Sequence, residues 1–177
     1  MWKTQKQHYS GEDMSTKDLS KTHIHIVDDD PVNLDLWSAL LTKAGYSVHT
    51  LEDGTAAFDA ALTEMPDLIM LDIMMPQTSG YEICEKLKAD PRTQDIPVVF
   101  LSALSSASDK VKAFSIGAVD YISKPFDVDE VLARIKTHLD IRQLEKDLRK
   151  KNAQLQQEVI ERRQAEERLR NYTERLR

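Results

Sequence analysis

From residue 22 onward, short apolar runs alternate with stretches of helical period. Five such runs recur, over residues 23–27, 46–51, 67–71, 97–101 and 119–122. Within them the strings LIML and VVFL are apolar at every position. A strand that faces water on one side alternates, so these two read as parallel strands covered on both faces. Between the runs lie the helices. Asp30 and Pro31 supply an N-cap and a first-turn proline, and Gly45 closes that helix. Further helical patterns cover residues 55–64, 80–89 and 106–115, the last followed by Gly117, and a fifth begins near Asp127. Five strands alternating with five helices predict an α/β fold, an open, doubly wound parallel sheet.

Both ends depart from this rhythm. Residues 1–21 are polar with few apolar groups, and read as a flexible leader. All five glycines lie at or before Gly117 and all six prolines at or before Pro125, so nothing interrupts a helix in the last third of the chain. Residues 140–177 are rich in Leu, Glu, Gln, Lys and Arg, which predicts one extended helix. Residues seven apart there read Ile141, Leu148, Leu155, Arg162, Leu169 and Leu176, with Leu144, Lys151, Glu158, Ala165 and Tyr172 as offset companions. Asn152 and Val159 form a competing frame, so the heptad shifts between about residues 152 and 162. An isolated polar helix of this length is poorly held, whereas a homodimer would cover its leucine stripe. The expected organisation is a leader (1–21), an α/β domain (22–139) and a coiled-coil dimerisation segment (140–177).

Composition narrows the class. The chain has 177 residues, 41% of them hydrophobic and 31% charged, enough for one core and too apolar for a disordered chain. No apolar stretch reaches the roughly 18–20 residues of a membrane span, and no apolar run follows the charges of the N-terminus, so no membrane segment or secretory signal is expected. With Cys84 as the single cysteine there is no internal disulfide, which fits a cytoplasmic location; Cys84 itself reads as a small core residue of the third helix. The formal charge of −6 divides into −9 over residues 1–139 and +3 over residues 140–177. An acidic body with a weakly basic, acid-interleaved tail is a poor nucleic-acid surface. Of the five histidines, His23 and His25 alternate on one strand and the others are scattered, which gives no expectation of zinc.

In a doubly wound sheet, ligands sit outside the carboxyl ends of the strands, where strand order reverses. The first strand ends in Asp28, Asp29 and Asp30, the third in Asp72 and the fourth in Ser102, and the fifth is followed by Lys124 and Pro125. Carboxylates gathered this closely raise one another's pKa unless a cation neutralises them, and a hard, oxygen-seeking ion such as Mg2+ suits them. With a hydroxyl and an ammonium beside it, such a site fits phosphoryl transfer, where catalysis is mostly positioning and charge neutralisation. Asp30 is set aside as the helix cap.

The strings IHIVDDDP, LIMLDIMMP, VVFLSA and DYISKPF resemble, in order and spacing, the receiver domain of two-component response regulators, a flavodoxin-like fold. The resemblance spans about residues 23–139. It implies that Asp72 accepts a phosphoryl group from a sensor histidine kinase or histidine phosphotransfer protein. It further implies that Asp28, Asp29, Asp72 and the backbone carbonyl of Met74 hold Mg2+, with Asp29 a direct ligand and Asp28 acting mainly through water. Ser102 would meet the phosphoryl oxygen, Lys124 would pair with it ahead of a cis Pro125, and Tyr121 would change position with Ser102. Two departures are small: Ser102 stands where threonine is more frequent, and Gln77, Thr78 and Ser79 replace a stretch that more usually contains Gly or Asp. The tail resembles the signalling linkers that precede PAS, histidine kinase or cyclase output domains. The expectation is a phosphorylatable switch, not an enzyme in its own right. A haloacid-dehalogenase-like phosphatase is the weaker alternative, because its chemistry needs an acid two residues after the nucleophile and Asp72 is followed by Ile73 and Met74. A non-phosphorylated interaction module is the other.

Overall fold

A computed structural model describes residues 21–103 and 106–176; the expected leader lies, apart from Lys21, outside them. The described chain runs β1 (His23–Val27), α1 (Pro31–Lys43), β2 (Ser47–Leu51), α2 (Ala57–Glu64), β3 (Leu68–Asp72), α3 (Gly80–Ala89), β4 (Val98–Ser102), α4 (Ala107–Ser115), β5 (Asp120–Ser123) and α5 (Val128–Arg175). The five strands form one parallel sheet in the order β2-β1-β3-β4-β5. Every residue of β3 and β4 is buried, as their unbroken apolar runs require, whereas the edge strand β2 is only half-buried.

Each central strand feeds two cores because successive side chains point to opposite faces. Val27, Ile69, Leu71, Val98 and Phe100 pack under α2, α3 and α4, with Leu87 and Cys84 of α3. Ile24, Ile26, Met70, Val99 and Leu101 pack on the other face against Leu34, Trp37 and Leu41 of α1 and Val131 and Ile135 of α5. Each fully buried aliphatic side chain contributes about 1.5–3 kcal/mol, so the sheet position of the site is held by both layers. Cys84 is fully buried and its thiol is pushed up to about 11 by that burial.

Element ends follow local chemistry. Asp30 caps α1 by accepting from the Val32 N–H at 2.9 Å, and Gly45 turns the chain at φ 98°. The expected start of the second helix at Thr55 is instead a single 3-10 turn, Gly54–Ala56, because the Asp53 side chain holds the Thr55 N–H at 2.8 Å and tightens the entry. Ser79 and Glu82 form a reciprocal capping box on α3.

Helix α5 begins at the Asp127 cap and continues for 48 residues without a break, about 72 Å at 1.5 Å per residue. Val131, Ile135 and Leu139 bury its first turns. Beyond them Lys146 pairs with Asp67 at 2.6 Å and Arg149 pairs with Asp95, two exposed ion pairs between the helix and the loops before β3 and β4. Leu144, Leu148, Leu155, Val159, Leu169 and Tyr172 are all exposed in this single chain. No helix among the described residues is long and apolar enough to cross a membrane.

Candidate functional site

Strand order reverses between β1 and β3, and the acidic residues stand at the carboxyl ends of those two strands. Asp28 is 2% exposed and held in place by three hydrogen bonds from two groups. Its carboxylate accepts from the Asp30 N–H at 2.9 Å and from the Asn33 side-chain amide at 3.2 and 3.0 Å. Asp29, next in the chain, is exposed. Asp72 closes β3 at 6% exposure. One carboxylate oxygen from each of Asp28, Asp29 and Asp72 lies within 4.8 Å of the others. Asp30, the cap of α1, stands outside that group.

The loop after β3 folds back tightly over Asp72. The Gly80 N–H donates to the Ile73 carbonyl at 3.0 Å, and a Cβ on Gly80 would lie 2.2 Å from the Asp72 carbonyl oxygen. Only glycine permits that approach. Met74 lies in this loop with its side chain exposed. Gly54 meets the same loop from β2: a Cβ there would lie 2.8 Å from Met75 and 2.9 Å from Thr78.

On the other side of Asp72, strands β4 and β5 deliver the hydroxyl and the ammonium. Leu101 is the β-partner of Asp72, so Ser102 lies one position further along, and it is fully buried. The Lys124 N–H donates to the Ser102 carbonyl at 2.8 Å, which ties the end of β5 to that of β4. This places the Lys124 Nζ 3.9 Å from both Asp28 Oδ2 and Asp72 Oδ1. The peptide between Lys124 and Pro125 is cis. Tyr121 is 6% exposed, with its ring 6.4 Å from that of Phe100. Burial pushes the Tyr121 hydroxyl pKa up, and a hydrogen bond with the Ser102 side chain works the other way.

Electrostatics and geometry agree on what the cluster can hold. Burial raises the Asp72 carboxyl to about 6, Lys124 opposes that rise, and the Asp28 and Asp29 charges add to it. One ammonium therefore does not neutralise three clustered carboxylates. A hard divalent cation with oxygen ligands does, and the donor set fits Mg2+. The structure brings together Asp28, Asp29, Asp72 and Lys124, and sets Ser102 and Tyr121 beside them on adjoining strands. It also adds Asn33, which the sequence reading missed; its place five residues after Asp28, just inside the first helix, was the available signal. His138 Nε2 donates to the Asp120 carboxylate at 3.1 Å, and Arg134 donates to the same carboxylate at 2.9 Å, which accounts for that histidine as a structural one.

Known proteins resemble this chain in sequence and in fold. The sequence profile of the response regulator receiver domain matches residues 24–136. The DNA-binding dual master transcriptional regulator RpaA of Synechocystis is 48% identical over 116 residues, covering 66% of this chain and 48% of its own. The response regulator PleD of Caulobacter vibrioides is 38% identical over 130 residues, covering 73% of this chain and 29% of its own. The chain thus spans less than half the length of these two relatives. The BeF3-activated N-terminal receiver domain of Klebsiella pneumoniae RstA superposes with a TM-score of 0.62 at 34% identity, over 67% of this chain and 98% of that one. By its profile match, its sheet order and its clustered carboxylates, the chain belongs to the response regulator receiver domain family.

Proposed function

We propose that residues 22–139 act as a phosphorylatable switch in a two-component phosphorelay, and that residues 140–177 carry its state outward. The observation that carries this reading is the convergence of three carboxylates within 4.8 Å, with the Lys124 ammonium 3.9 Å from two of them. A phosphohistidine of a sensor kinase or phosphotransfer protein is the donor. A carboxylate oxygen of Asp72 attacks phosphorus, the phosphorus–nitrogen bond breaks, and the electron pair returns to the imidazole. Lys124 balances charge on the transferred group, and the Ser102 hydroxyl donates to one of its oxygens. Asp29, Asp72 and the Met74 carbonyl would hold Mg2+ directly and Asp28 mainly through water, and the ion would neutralise the gathered negative charge. Asn33 keeps Asp28 aimed at the site.

The change leaves through Ser102, Tyr121 and α5. As Ser102 turns toward the phosphoryl oxygen it gives up its bond to Tyr121, which resettles and alters the α4–β5–α5 surface. An uninterrupted α5 has no hinge to absorb that change, and its exposed leucine stripe pairs with a second copy to form a homodimer. An output domain beyond the helix, or a partner protein, reads the result.

Incubation of the full chain with acetyl phosphate and Mg2+, followed by intact-mass spectrometry, tests the phosphoacceptor role. One phosphoryl adduct is expected, lost in Asp72→Asn and suppressed by EDTA. No adduct in the wild type would leave the non-phosphorylated interaction module as the better account.

A further inference from the structure

The register of the sheet creates a second cluster that the spacing of the histidines concealed. β1 and β2 pair so that His25 lies directly opposite His49, with ring centroids 5.0 Å apart in an edge-to-face arrangement. Both side chains point to the α2 face of the sheet. Helix α2 ends at Glu64, because Met65 adopts the left-handed conformation at φ 49° and stops it there. Glu64 therefore hangs over the two rings. Its Oε2 lies 2.9 Å from His25 Nε2 and 2.8 Å from His49 Nδ1. These three ligand atoms all lie within 4.8 Å of one another, at the floor of an open groove of ≈ 300 Å³ that His23 and Ser47 also line.

From this geometry we infer a binding site for a borderline divalent transition-metal ion of the zinc class, with His25 Nε2, His49 Nδ1 and a Glu64 carboxylate oxygen as its three protein ligands. Two imidazoles and one carboxylate form a donor set that zinc prefers and Mg2+ does not. A tetrahedral ion with bonds of about 2.0–2.1 Å spaces its ligands about 3.3 Å apart. The nitrogens thus need to draw back from the carboxylate by only about half an ångström, and the ion takes the place of the ring protons now lying between them. Glu64 and His49 are 46% and 42% exposed and free to make that adjustment. His25 is not: it is 1% exposed, and its Nδ1 has no hydrogen-bond partner. A buried imidazole committed through Nε2 alone is a costly feature for a sheet interior, and the receiver chemistry gives no reason for it. A tetrahedral ion held by these three atoms would keep a fourth position for water or for a ligand from another molecule. The carboxyl end of α2 adds its partial negative charge on the side of Glu64. Occupied, the site would clamp the edge strand β2 to β1 and α2.

The acidic cluster at Asp28, Asp29 and Asp72 is the competing destination for any divalent ion, so the test separates the two. The full chain is titrated with Zn2+ against a chromophoric chelator in excess Mg2+. One tight equivalent is expected. His49→Ala and Glu64→Gln each change an exposed side chain, and each should weaken Zn2+ at least tenfold, since losing even an outer-shell partner of a metal costs 10–100-fold. Asp29→Asn should leave Zn2+ affinity unchanged, and both histidine-site variants should still take up phosphoryl at Asp72. Co2+ as a probe should give the intense visible bands of tetrahedral coordination in the wild type and not in His49→Ala. Absence of Zn2+ binding overturns the proposal, as does binding that survives both His49→Ala and Glu64→Gln or disappears with Asp29→Asn.

Discussion

Asp72→Asn should stabilise the metal-free protein at neutral pH, because the wild type folds with a carboxylate in a place that disfavours its charge. Burial is the main cause that holds the folded carboxyl at about 6, above the ordinary carboxylate value of 3.8. That difference corresponds to about 3 kcal/mol at most. The sign follows from linkage. A carboxyl whose folded pKa lies above its unfolded value contributes stability below the unfolded pKa, and that contribution is lost as pH rises through the folded one. Asparagine has nearly the same shape and does not titrate. Its advantage over the wild type should therefore be near zero below about pH 4, grow between about pH 4 and 6, and level off above about pH 6 at ~2–3 kcal/mol. Urea unfolding in EDTA across that range measures it; with slopes of about 1–3 kcal/mol per molar, the midpoint at neutral pH should rise by about 0.7–3 M. Mg2+ should raise the wild-type midpoint and leave the variant nearly unmoved. An advantage that is absent at neutral pH, or equal at every pH, would refute the argument that Asp72 carries an unneutralised buried charge.

Asp29→Ala should weaken Mg2+ more than Asp28→Ala, while Lys124→Ala should leave Mg2+ affinity intact or raised, since it removes a positive charge 3.9 Å from two of the carboxylates; titration calorimetry ranks the three. Gly80→Ala puts a methyl 2.2 Å from the Asp72 carbonyl oxygen, and should cost about 1–3 kcal/mol in denaturant unfolding together with most of the phosphorylation rate. Truncation after Asp140, or Leu155→Asp with Leu169→Asp in the full chain, should convert a dimer to a monomer in sedimentation; an unchanged dimer would place the interface on the sheet domain. Single cysteines at Leu148, Leu155 and Leu169 in a Cys84→Ser background should cross-link at rates that beryllofluoride changes, and identical rates in both states would make α5 a passive tether.

The sheet was legible because LIML and VVFL are covered on both faces, and because Pro31, Gly45 and Gly117 punctuate the chain between strands. The bounds of β1 are as expected, whereas those of β2 to β5 differ by a residue, since apolarity does not mark where the hydrogen-bond ladder begins. Pro97 illustrates this: its carbonyl accepts from Ile69 N–H at 2.9 Å, yet β4 starts at Val98. The tight entry to α2 was hidden because Thr55 and Ala56 carry helical apolar spacing, while the deciding hydrogen bond comes from Asp53 outside it. At the acidic site, Asp28, Asp29, Asp72, Ser102 and Lys124 could be read because each closes or follows a strand. Asn33 was marked only by its place just inside the first helix, and its role depends on where the first turn of α1 lies over Asp28. His25, His49 and Glu64 were illegible for a stronger reason: they meet through the β1–β2 register, and no spacing in the sequence encodes that pairing.

The phosphoacceptor assignment is tested most directly by locating the acyl phosphate itself. The full chain is phosphorylated with acetyl phosphate and Mg2+, reduced with borohydride so that an aspartyl phosphate becomes homoserine, and digested for peptide sequencing by mass spectrometry. Homoserine at position 72, and at no other aspartate, is the predicted result. Homoserine at position 28 or 29 with Asp72 intact, or a phosphoryl group retained on a histidine such as His138, would contradict it.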